Sequence, residues 1–463
     1  MILNYWTLYI NINIFLKGGC VNSSLNELKS FLDANFMIKK IKGTNDIVEN
    51  TYIWEWVEDK FKEVAKRFGF SEIRTPIFEA TELFNRGVGK ETDIVQKEMY
   101  TFEDKGGRSI TLRPEGTAPV MRAFVEHSLA SKGLPQKFFY LGPMFRYERP
   151  QAGRLRQFHQ YGIELIGSSL PVADAYTILV AVEILKAVGL KNFKLKINST
   201  GCQKCRAGYK KALKEYYRPL LNNLCDDCKR RYDRNVLRLL DCKRDAEYAK
   251  SAPNILDYLC DDCKAHFNEL KSLLDTLNIE YEVDPSIVRG LDYYTRTVFE
   301  IKYPSLGAQD AIIGGGRYDN LIEELGGAPT PSVGFAVGME RIMLALTSEG
   351  KLPSPRGVDL YVVTVGDEQR ADALKISREL SKYMRVDIDL MGRKLKAQFS
   401  NASRENARYV LVIGEEEVKS GLYTLKRMSD RTQMKLSIDE VVMEIKGKRR
   451  LESFEQENTT FGS

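Results

Sequence analysis

The sequence predicts an α+β domain built on a mainly antiparallel sheet, a helical insertion within that domain, and a smaller α/β domain at the C-terminal end. Over residues 37–349, predicted strands follow one another with helices between only some of them, which is typical of α+β domains. Residues 199–265 interrupt this alternation with a basic, cysteine-containing helical pattern. After the Gly- and Pro-rich linker 350–357, short apolar strands alternate with helices over residues 358–447, which indicates a parallel sheet.

The composition is that of an ordinary globular protein, with 43% hydrophobic and 29% charged residues in a chain of 463. The net charge of +6 permits a polyanionic partner without requiring one. No run of 18 apolar residues occurs, so we predict no membrane span. The Cys-x-x-Cys spacing in a large chain without a convincing signal peptide indicates zinc or reduced thiols rather than disulfides, and we therefore predict a cytoplasmic location. We interpret residues 1–36, which are apolar and Asn-rich, as a leader or a misplaced start before Met37, and residues 448–463 as a tail.

The first part of the α+β domain, residues 37–198, contains a clear helix and a clear hairpin. Apolar residues recur every three or four positions from Ile53 to Phe68, and a glycine follows as a helix stop. The proline in FSEIRTPIFE marks a strand end or edge, and the strand SITLR leads into a helix that begins near PEG. Residues 137–167 predict two strands joined by an Arg-rich loop, whose tip ERPQAGR has the composition of a turn.

The remaining elements follow in order. A helix over residues 172–188 and the strand FKLKIN precede the insertion. In the second part of the domain, residues 266–349, the strands are IEYEVD, TVFEIKY, AIIGG and SVGFAVG, and the last runs into the helix MERIMLALTSEG. The C-terminal strands are DLYVVTV, VDIDLM and YVLVIG. A basic run between the last two is either a solvated face or a nucleic-acid surface: Arg393, Lys394, Lys396, Arg404 and Arg408.

Four arginines are placed to bind phosphate. Glycine-rich nucleotide loops are missing, because no G-x-x-x-x-G-K-[ST] occurs and GGGRYD lacks the third glycine of a dinucleotide fingerprint. Arg146 and Arg154 flank the hairpin loop, Arg289 precedes the strand TVFEIKY, and Arg341 begins a helix. Guanidinium groups bind phosphate oxygens in a bidentate way and stay charged. If these arginines converge on one sheet they form a phosphate site, whereas singly each would be a surface ion pair.

The strand around His159 carries polar residues on a face that we expect to be buried. Alternation places Gln160 and Glu164 on the same face as Phe158. A buried carboxylate is costly unless paired, so Glu164 faces either a cationic or hydrogen-bonding ligand or an internal salt bridge. With only three histidines in the chain, a His-based nucleophilic triad is not expected.

Six of the eight cysteines form three Cys-x-x-Cys pairs, which is a metal-ligand spacing. Zinc needs four ligands in tetrahedral reach, and two such pairs would supply them. Free buried thiols are the alternative. The six residues are Cys202, Cys205, Cys225, Cys228, Cys260 and Cys263.

Several longer segments resemble the class II aminoacyl-tRNA synthetases, and histidyl-tRNA synthetases in particular. FSEIRTPIFE, FRYERPQAGRLRQFHQYGIELIG and GFAVGMERIMLAL are similar to motifs 1, 2 and 3 of that class. RGLDYYTRTVFEI and GGGRYDNLI resemble the two signature segments of the histidyl-tRNA synthetase family, and LRPEGTA is also similar to it. The resemblance covers residues 37–447 and implies a class II catalytic domain with a C-terminal anticodon-binding domain.

The resemblance implies a two-step reaction. Histidine and ATP, with Mg²⁺, form histidyl-adenylate and pyrophosphate, and the histidyl group then passes to the tRNA 3′ end. Arg146 and Arg289 would be catalytic at the α-phosphate, because fixed cations stabilise the charge that develops there. Arg154 and Arg341 would bind the outer phosphates, and Glu148 would lie near the adenine and its metal.

The resemblance also assigns the residues that bind histidine and tRNA. The imidazole ring would meet a mixed donor and acceptor pocket, although one of the two adjacent tyrosines would instead pack in the core. The histidine-binding residues implied are Glu115, Gly116, Thr117, Gln160, Glu164, Arg289, Tyr293, Tyr294 and Tyr318. Gln151 and Arg156 would contact the tRNA acceptor end, the insertion would lie over the acceptor stem, and a homodimer is expected because motif 1 builds the two-fold interface of this class.

Two other functions fit parts of the sequence. One is a catalytically inactive relative that regulates the first enzyme of histidine biosynthesis, and the other is an RNA-binding protein that has lost catalysis. The first lacks the C-terminal domain, and the second predicts changed arginines at positions 146, 289 or 341. All three arginines are present here, so the sequence favours the synthetase.

Overall fold

The computed structural model describes residues 38–447 except residues 90, 91, 241, 243, 288, 289, 351, 354 and 356. The strands are β1 Ser71–Glu72, β2 Phe78–Ala80, β3 Tyr100–Glu103, β4 Ser109–Leu112, β5 Gln136–Phe145, β6 Gln157–Ile166, β7 Lys194–Ser199, β8 Glu282–Val283, β9 Thr295–Lys302, β10 Ala311–Arg317, β11 Ser332–Gly338, β12 Leu360–Thr364, β13 Val386–Ile388, β14 Tyr409–Ile413, β15 Tyr423–Arg427 and β16 Gln433–Leu436.

The α-helices within the described residues are α1 Thr51–Arg67, α2 Thr81–Phe84, α3 Thr117–Glu126, α4 Pro171–Ala187, α5 Gln203–Tyr217, α6 Asp226–Arg234, α7 Ala246–Lys250, α8 Asp261–Thr276, α9 Leu321–Glu324, α10 Met339–Glu349, α11 Arg370–Leu380, α12 Leu395–Arg404 and α13 Glu415–Ser420. Residues 438–447 are also helical. None of the helices described is both long and apolar enough to cross a bilayer.

An eight-stranded sheet forms the first domain, in the order β1-β5-β6-β11-β10-β9-β7-β8. Only the two edge pairs, β1 with β5 and β7 with β8, are parallel, so the predicted mainly antiparallel sheet is confirmed. The predicted strand IEYEVD is reduced to two residues, since it joins the sheet only at this edge. Strands β2, β4 and β3 form a separate small sheet.

The large sheet separates two cores. One face packs against α1, α4, α8 and α10 in a core that includes Phe61, Ile178, Leu270 and Ile342. Helix α4 is buried around most of its circumference because it lies among α1, α8 and the sheet. The opposite face carries α3 and three tyrosines at positions 293, 294 and 318. Because β6 alternates between these two surroundings, its odd-numbered residues pack in the first core and its even-numbered polar residues face the second side.

A buried ion-pair network ties the first core together. The Asp174 carboxylate of α4 accepts hydrogen bonds from Arg317 Nε at 3.0 Å and Thr297 Oγ1 at 2.7 Å, and lies 2.6 Å from His266 Nε2. Asp174 and Arg317 have no exposed side-chain surface. Burial alone would raise the pKa of Asp174, but Arg317 and His266 outweigh it and lower that pKa. The network connects α4, β9, β10 and α8, and α8 begins within the last residues of the insertion.

The C-terminal domain has a five-stranded sheet in the order β13-β12-β14-β15-β16. Strands β12, β13 and β14 are parallel, as the alternating pattern predicts. Strands β15 and β16 are antiparallel and were not predicted, because YTLKR and QMKL have no apolar run. Leu360 packs with α11 on one face, whereas Tyr361 packs with α12 on the other.

Candidate functional site

A cavity of about 380 Å³ lies over β6, β10 and β11 on the tyrosine-bearing face of the large sheet. Its floor is glycine-rich where these strands meet. A Cβ atom on Gly334 would lie 2.3 Å from Glu164 Oε2 and 2.5 Å from the Tyr318 hydroxyl, so this position must lack a side chain. The segments SVGFAVG and GGGRYD thus provide a floor that lets polar groups approach the backbone closely.

At one end of the cavity Glu115 lines the wall, and Glu164 lies behind two other lining residues, Thr117 and Tyr318. Glu164 has no exposed surface, and its carboxyl group accepts hydrogen bonds from Thr117 Oγ1 at 2.8 Å and from the Tyr318 hydroxyl. Burial raises the pKa of Glu164 well above its usual value; the Thr117 hydroxyl opposes this, and the neighbouring Glu115 adds to it. The strand alternation therefore correctly predicted a buried polar face, and hydrogen bonds rather than an ion pair hold Glu164.

Glu115 closes this end of the cavity from the other side. Its carboxylate accepts hydrogen bonds from the backbone N–H groups of Thr117 at 2.7 Å and Ala118 at 2.8 Å, at the start of α3. Burial raises the pKa of Glu115, and these hydrogen bonds oppose the shift. Gln160 also lines the cavity, and its Oε1 is buried without a hydrogen-bond partner among the described residues. An unpaired buried acceptor in the same cavity wall as a carboxylate suits a cationic donor.

Three tyrosine rings enclose the same end. The ring centroids of Tyr293 and Tyr294 are 4.7 Å apart, and that of Tyr318 lies 5.4 Å from Tyr293 and 6.3 Å from Tyr294. All three line the cavity and are at most 6% exposed. The expectation that one of the adjacent tyrosines turns away into the core is wrong, because the loop before β9 places both rings against Tyr318.

Three of the four predicted arginines line the other end. Arg146 donates from Nε to the Pro114 carbonyl at 2.9 Å, and its guanidinium lies 5.2 Å from the Phe158 ring centroid. Arg154 Nε lies 2.8 Å from Glu148 Oε2. Arg341 donates from Nε to the Gly153 carbonyl at 3.3 Å.

The charges of these arginines repel one another. Burial lowers the pKa of Arg341, and the nearby cations Arg154 and Arg146 lower it further, whereas Glu148 opposes them. Such a cluster is a site for a multiply charged anion, since phosphate oxygens would relieve the repulsion.

The other predicted site residues lie elsewhere. Arg289 lies outside the described residues. Gly116 faces the Tyr140 ring rather than the cavity, since a Cβ atom there would lie 2.2 Å from that ring. Gln151 and Arg156 belong to the hairpin loop outside the cavity; the Arg156 guanidinium lies 4.1 Å from the Tyr147 ring centroid.

Sequence reasoning missed four acidic residues in or beside the cavity, which are Glu98, Glu300, Asp310 and Glu340. Glu300 and Glu340 line the cavity, and Glu340 accepts a hydrogen bond from the His159 backbone N–H at 2.9 Å. Burial raises the pKa of Glu98 to about 7, Glu148 adds to this shift, and Arg146 and Arg154 oppose it. A lone acid inside the apolar strand TVFEIKY was the available signal for Glu300, whereas QKEMY gave none for Glu98.

The cysteines form two groups of donor side chains within the described residues. Cys202, Cys205, Cys260 and Cys263 form the first thiol cluster, and Cys225, Cys228, Cys242 and Asp245 form the second. In each cluster the donor atoms all lie within 4.8 Å of one another. Two of the three predicted Cys-x-x-Cys pairs therefore form the first cluster, and the third pair belongs to the second cluster. The other two donors of the second cluster, Cys242 and Asp245, lie outside any such pair.

A mainly antiparallel sheet whose central strands carry this cavity, followed by a separate α/β domain, defines a class II aminoacyl-tRNA synthetase. The family profile described as histidyl-tRNA synthetase matches residues 48–342, and the profile described as anticodon binding domain matches residues 359–448. The chain belongs to the histidyl-tRNA synthetase family.

Curated relatives and a solved structure agree with this placement. The histidine–tRNA ligase of Thermosipho melanesiensis is 57% identical over 409 residues, which cover 88% of this chain and 98% of the relative. That of Thermotoga maritima is 54% identical over 404 residues, covering 87% and 96%. The crystal structure of apo Staphylococcus aureus histidyl-tRNA synthetase matches with a TM-score of 0.75 at 38% identity and covers 89% of this chain and 100% of that one. These findings support tRNA charging rather than the regulatory alternative.

Proposed function

We propose that this chain ligates L-histidine to its tRNA in two steps, ATP-dependent formation of histidyl-adenylate followed by transfer to the tRNA 3′ end. The observation that carries the proposal is the polarity of one cavity, with Glu115 and three tyrosines at one end and three converging arginines at the other. An amino acid and a triphosphate can occupy such a cavity together, with the reacting carboxylate and α-phosphorus at the boundary between the two ends.

Arg146 contacts the α-phosphate in this proposal, and Arg154 and Arg341 hold the β- and γ-phosphates. As the histidine carboxylate attacks, negative charge grows on the α-phosphate oxygens and on the departing pyrophosphate, and fixed cations lower the barrier. The convergence of the three guanidinium groups supports these roles. Arg289, which precedes the loop of Tyr293 and Tyr294, is assigned to the α-phosphate from its place in the family signature.

Mg²⁺ is proposed to accompany ATP. Glu148 and Glu300 line the arginine end and offer the carboxylate oxygens that this ion takes alongside phosphate oxygens. When bound, Mg²⁺ neutralises charge on the outer phosphates and fixes their geometry. Structural zinc is proposed for the insertion, where the thiol clusters supply the ligands.

In this proposal histidine binds at the end of the cavity that Glu115 and the three tyrosines line. Its ammonium group meets Glu115, Thr117 and the unpaired Oε1 of Gln160, whereas the imidazole lies among Glu164, Tyr294 and Tyr318, with Tyr293 alongside. A ring with one donor and one acceptor nitrogen matches this mixed set of groups. An apolar amino acid would leave these buried groups unpaired, which is a strong basis for rejection.

Histidine-dependent ATP/pyrophosphate exchange tests the first step, and charging of histidine tRNA tests the second. We expect exchange with histidine and none with leucine or phenylalanine. A folded sample that binds tRNA but gives no exchange would leave the RNA-binding alternative. Exchange without charging would restrict the chain to the first step.

The acid Glu98 predicts a pH dependence of ATP binding. A carboxyl whose pKa is about 7 gains its negative charge between about pH 6 and 8, and this charge weakens the attraction of Arg146 and Arg154 for phosphates. We expect KM for ATP to rise about two- to fivefold over that range beyond the change seen in Glu98→Gln, as one added charge at a partly buried site is worth about 0.5–1 kcal/mol.

The exposed Glu103→Gln variant is the matched control for Glu98, and its pH profile should follow the wild type. Ionisation of ATP itself is common to all three proteins and cancels in the comparison. Identical profiles for Glu98→Gln and the wild type would show that Glu98 does not titrate beside the phosphates.

The anticodon-binding role of residues 358–447 predicts a salt-dependent contribution from α12. Arg393, Arg404 and Arg408 lie within 4.0 Å of Asp389, Glu405 and Asp359, respectively. Lys394 and Lys396 are exposed at the start of the helix. We expect Lys394→Ala with Lys396→Ala to lower the slope of log K against log salt for tRNA binding by up to about 2, because each phosphate contact contributes about one.

The control for this pair is Lys382→Ala, since Lys382 follows α11 on the opposite face of the same sheet and is exposed. It should leave the salt slope unchanged. Equal slopes for the wild type and the double variant would mean that α12 presents only a solvated face.

Assembly and remaining contacts follow from the same proposal. Gln151 and Arg156 lie on the hairpin loop beside the cavity, where the tRNA acceptor end would approach.

Ile77, Phe78 and Phe102, in or beside the small sheet β2-β4-β3, are exposed, which supports a homodimer that covers them. Sedimentation of the purified protein measures the oligomeric state. We also propose a cytoplasmic location, as tRNA charging requires.

A further inference from the structure

We propose that the insertion binds two zinc ions, one in each thiol cluster, and that these ions hold the insertion against the back of the histidine pocket. The first cluster joins the two ends of the insertion, because Cys202 and Cys205 follow β7 whereas Cys260 and Cys263 lead into α8. The second cluster lies wholly within the insertion.

The sulfur positions in the first cluster fit a tetrahedral zinc ion. Zinc–sulfur bonds of about 2.3 Å at tetrahedral angles separate the sulfur atoms by about 3.8 Å. The Cys202 Sγ lies 3.6 Å from Cys205 Sγ and 3.9 Å from Cys260 Sγ. Cys205 and Cys263 are buried, and a four-thiol site of this kind is closed to solvent on most sides, as structural zinc sites are.

Each Cys-x-x-Cys pair lies at a helix N-terminus. Cys202, Cys225 and Cys260 are the N-cap residues of α5, α6 and α8, and the partner of each lies in the first turn. Backbone N–H groups and the helix dipole at such a place stabilise thiolates, which are the form that binds metal. In the first cluster, the backbone N–H of Cys260 also donates to Cys205 Sγ at 3.1 Å.

The second cluster distinguishes a metal site from disulfides. It contains three thiols and one carboxylate, and a carboxylate forms no disulfide. Cys225 Sγ and Cys242 Sγ are 3.7 Å apart, and the Asp245 carboxylate is oriented by the Cys225 backbone N–H, which donates to Oδ2 at 3.1 Å. Asp245 and Cys242 are both at most 8% exposed, so the carboxylate is buried among the thiols rather than solvated at the surface. Zn²⁺ accepts such mixed S and O ligand sets.

Both clusters adjoin residues that contact the loop of Tyr293 and Tyr294. Arg206 directly follows Cys205 and donates to the Tyr294 carbonyl at 2.5 Å. Arg238, four residues before Cys242, donates from Nη2 to Asp292 Oδ1 at 2.9 Å. Each metal ion would therefore hold in place an arginine of the insertion, Arg206 or Arg238, that hydrogen-bonds to this loop. This second part of the inference rests on the proposed function, whereas the zinc content does not.

Metal analysis of the full-length protein tests the inference directly. Protein purified without chelators should contain two zinc ions per chain, and Co²⁺ added to zinc-stripped protein should give thiolate-to-cobalt charge-transfer absorption. Zero or one zinc ion in protein refolded with excess zinc would overturn the two-site proposal. The cobalt spectrum needs no variant, so the test stands even where a cysteine substitution prevents folding.

Variants assign the two ions. Asp245→Asn should reduce the zinc content from two to one, and so should Cys202→Ser with Cys205→Ser. The matched controls are Asp233→Asn, an exposed carboxylate of α6, and Cys20→Ser, the one cysteine outside the clusters and their pairs. Both controls should keep two ions. Retention of two ions in Asp245→Asn would overturn the assignment of the second site.

The supporting role has its own readout. Asp245→Asn should raise KM for histidine several-fold, and by more than KM for ATP, relative to the Asp233→Asn control. Arg238 contacts the loop of Tyr293 and Tyr294 directly, through Asp292, whereas the insertion reaches the segment before Glu98 through the surface ion pair of Arg231 and Asp93. An unchanged KM for histidine in a variant that has lost one zinc ion would overturn the supporting role and leave the zinc sites standing. A protein with two zinc ions and no exchange activity would contradict only the proposed function.

Discussion

Replacement of Arg146 by alanine should lower kcat of histidine-dependent ATP/pyrophosphate exchange by about 10²- to 10³-fold, the range seen when one fixed donor to developing charge is removed. The Arg146 side chain is held by the Pro114 carbonyl and by the Phe158 ring, so its guanidinium is oriented before ATP arrives. Preorganisation of this kind contributes to the transition state rather than to folding. The thermal midpoint of the variant should therefore change little, since the side chain is only partly buried.

Two further variants bracket the Arg146 result. Arg146→Lys keeps the positive charge but loses the planar fork of donors, and we expect activity between those of wild type and alanine. Arg149→Ala removes an exposed arginine of the same hairpin loop that does not line the cavity, and exchange should be normal. Exchange within threefold of wild type in Arg146→Ala would refute the α-phosphate role.

Replacement of Glu164 by glutamine should lower kcat/KM for histidine by about 10- to 100-fold, because hydrogen bonds to a charged partner are worth about 1.5–3 kcal/mol. The effect should fall on histidine and leave KM for ATP unchanged. Burial raises the pKa of Glu164, so ionisation of this carboxyl group is unfavourable when the pocket is empty. Replacement by the uncharged glutamine should therefore not destabilise the fold. Steady-state exchange at varied histidine concentrations, with thermal unfolding of the same samples, measures both expectations.

Glu183→Gln serves as the control for Glu164, since Glu183 lies on α4 with its side chain paired to Lys186 at the surface. It should behave as wild type in both assays. A Glu164→Gln variant with normal kcat/KM for histidine would place the imidazole elsewhere in the cavity. A variant that fails to fold would instead identify Glu164 as a structural residue of β6.

The local patterns of the sequence were sufficient for most of the large sheet. Alternation along β6 correctly placed Gln160 and Glu164 on the cavity face, because a strand of ten residues flanked by two cores shows its period clearly. The short β15 and β16 escaped prediction since their side chains are mostly only half buried. The edge strand β8 was overestimated because a two-residue pairing leaves little trace in sequence.

The site was predicted in its parts, and the structure supplies the grouping. The placement of Arg146, Arg154 and Arg341 around the predicted strands suggested a phosphate site on the condition that they converge, and the fold brings them to one end of a cavity. Glu98 reaches that end from the short π-helix Ile94–Glu98, whose sequence has no distinctive pattern. The metal clusters show the same limit, because Asp245 is an ordinary acid in sequence and becomes a donor only beside three thiols.

The position of β11 has a consequence for how the chain is made. This strand pairs with β6 on one side and β10 on the other, yet it is the last strand of the large sheet to leave the ribosome. Nascent β6 therefore waits with an open edge through synthesis of the insertion, and such an edge can recruit neighbouring polypeptides. Cotranslational folding should stall as a half-formed sheet until residue 338 has emerged, so that a chaperone-depleted translation extract should yield aggregated product from this gene.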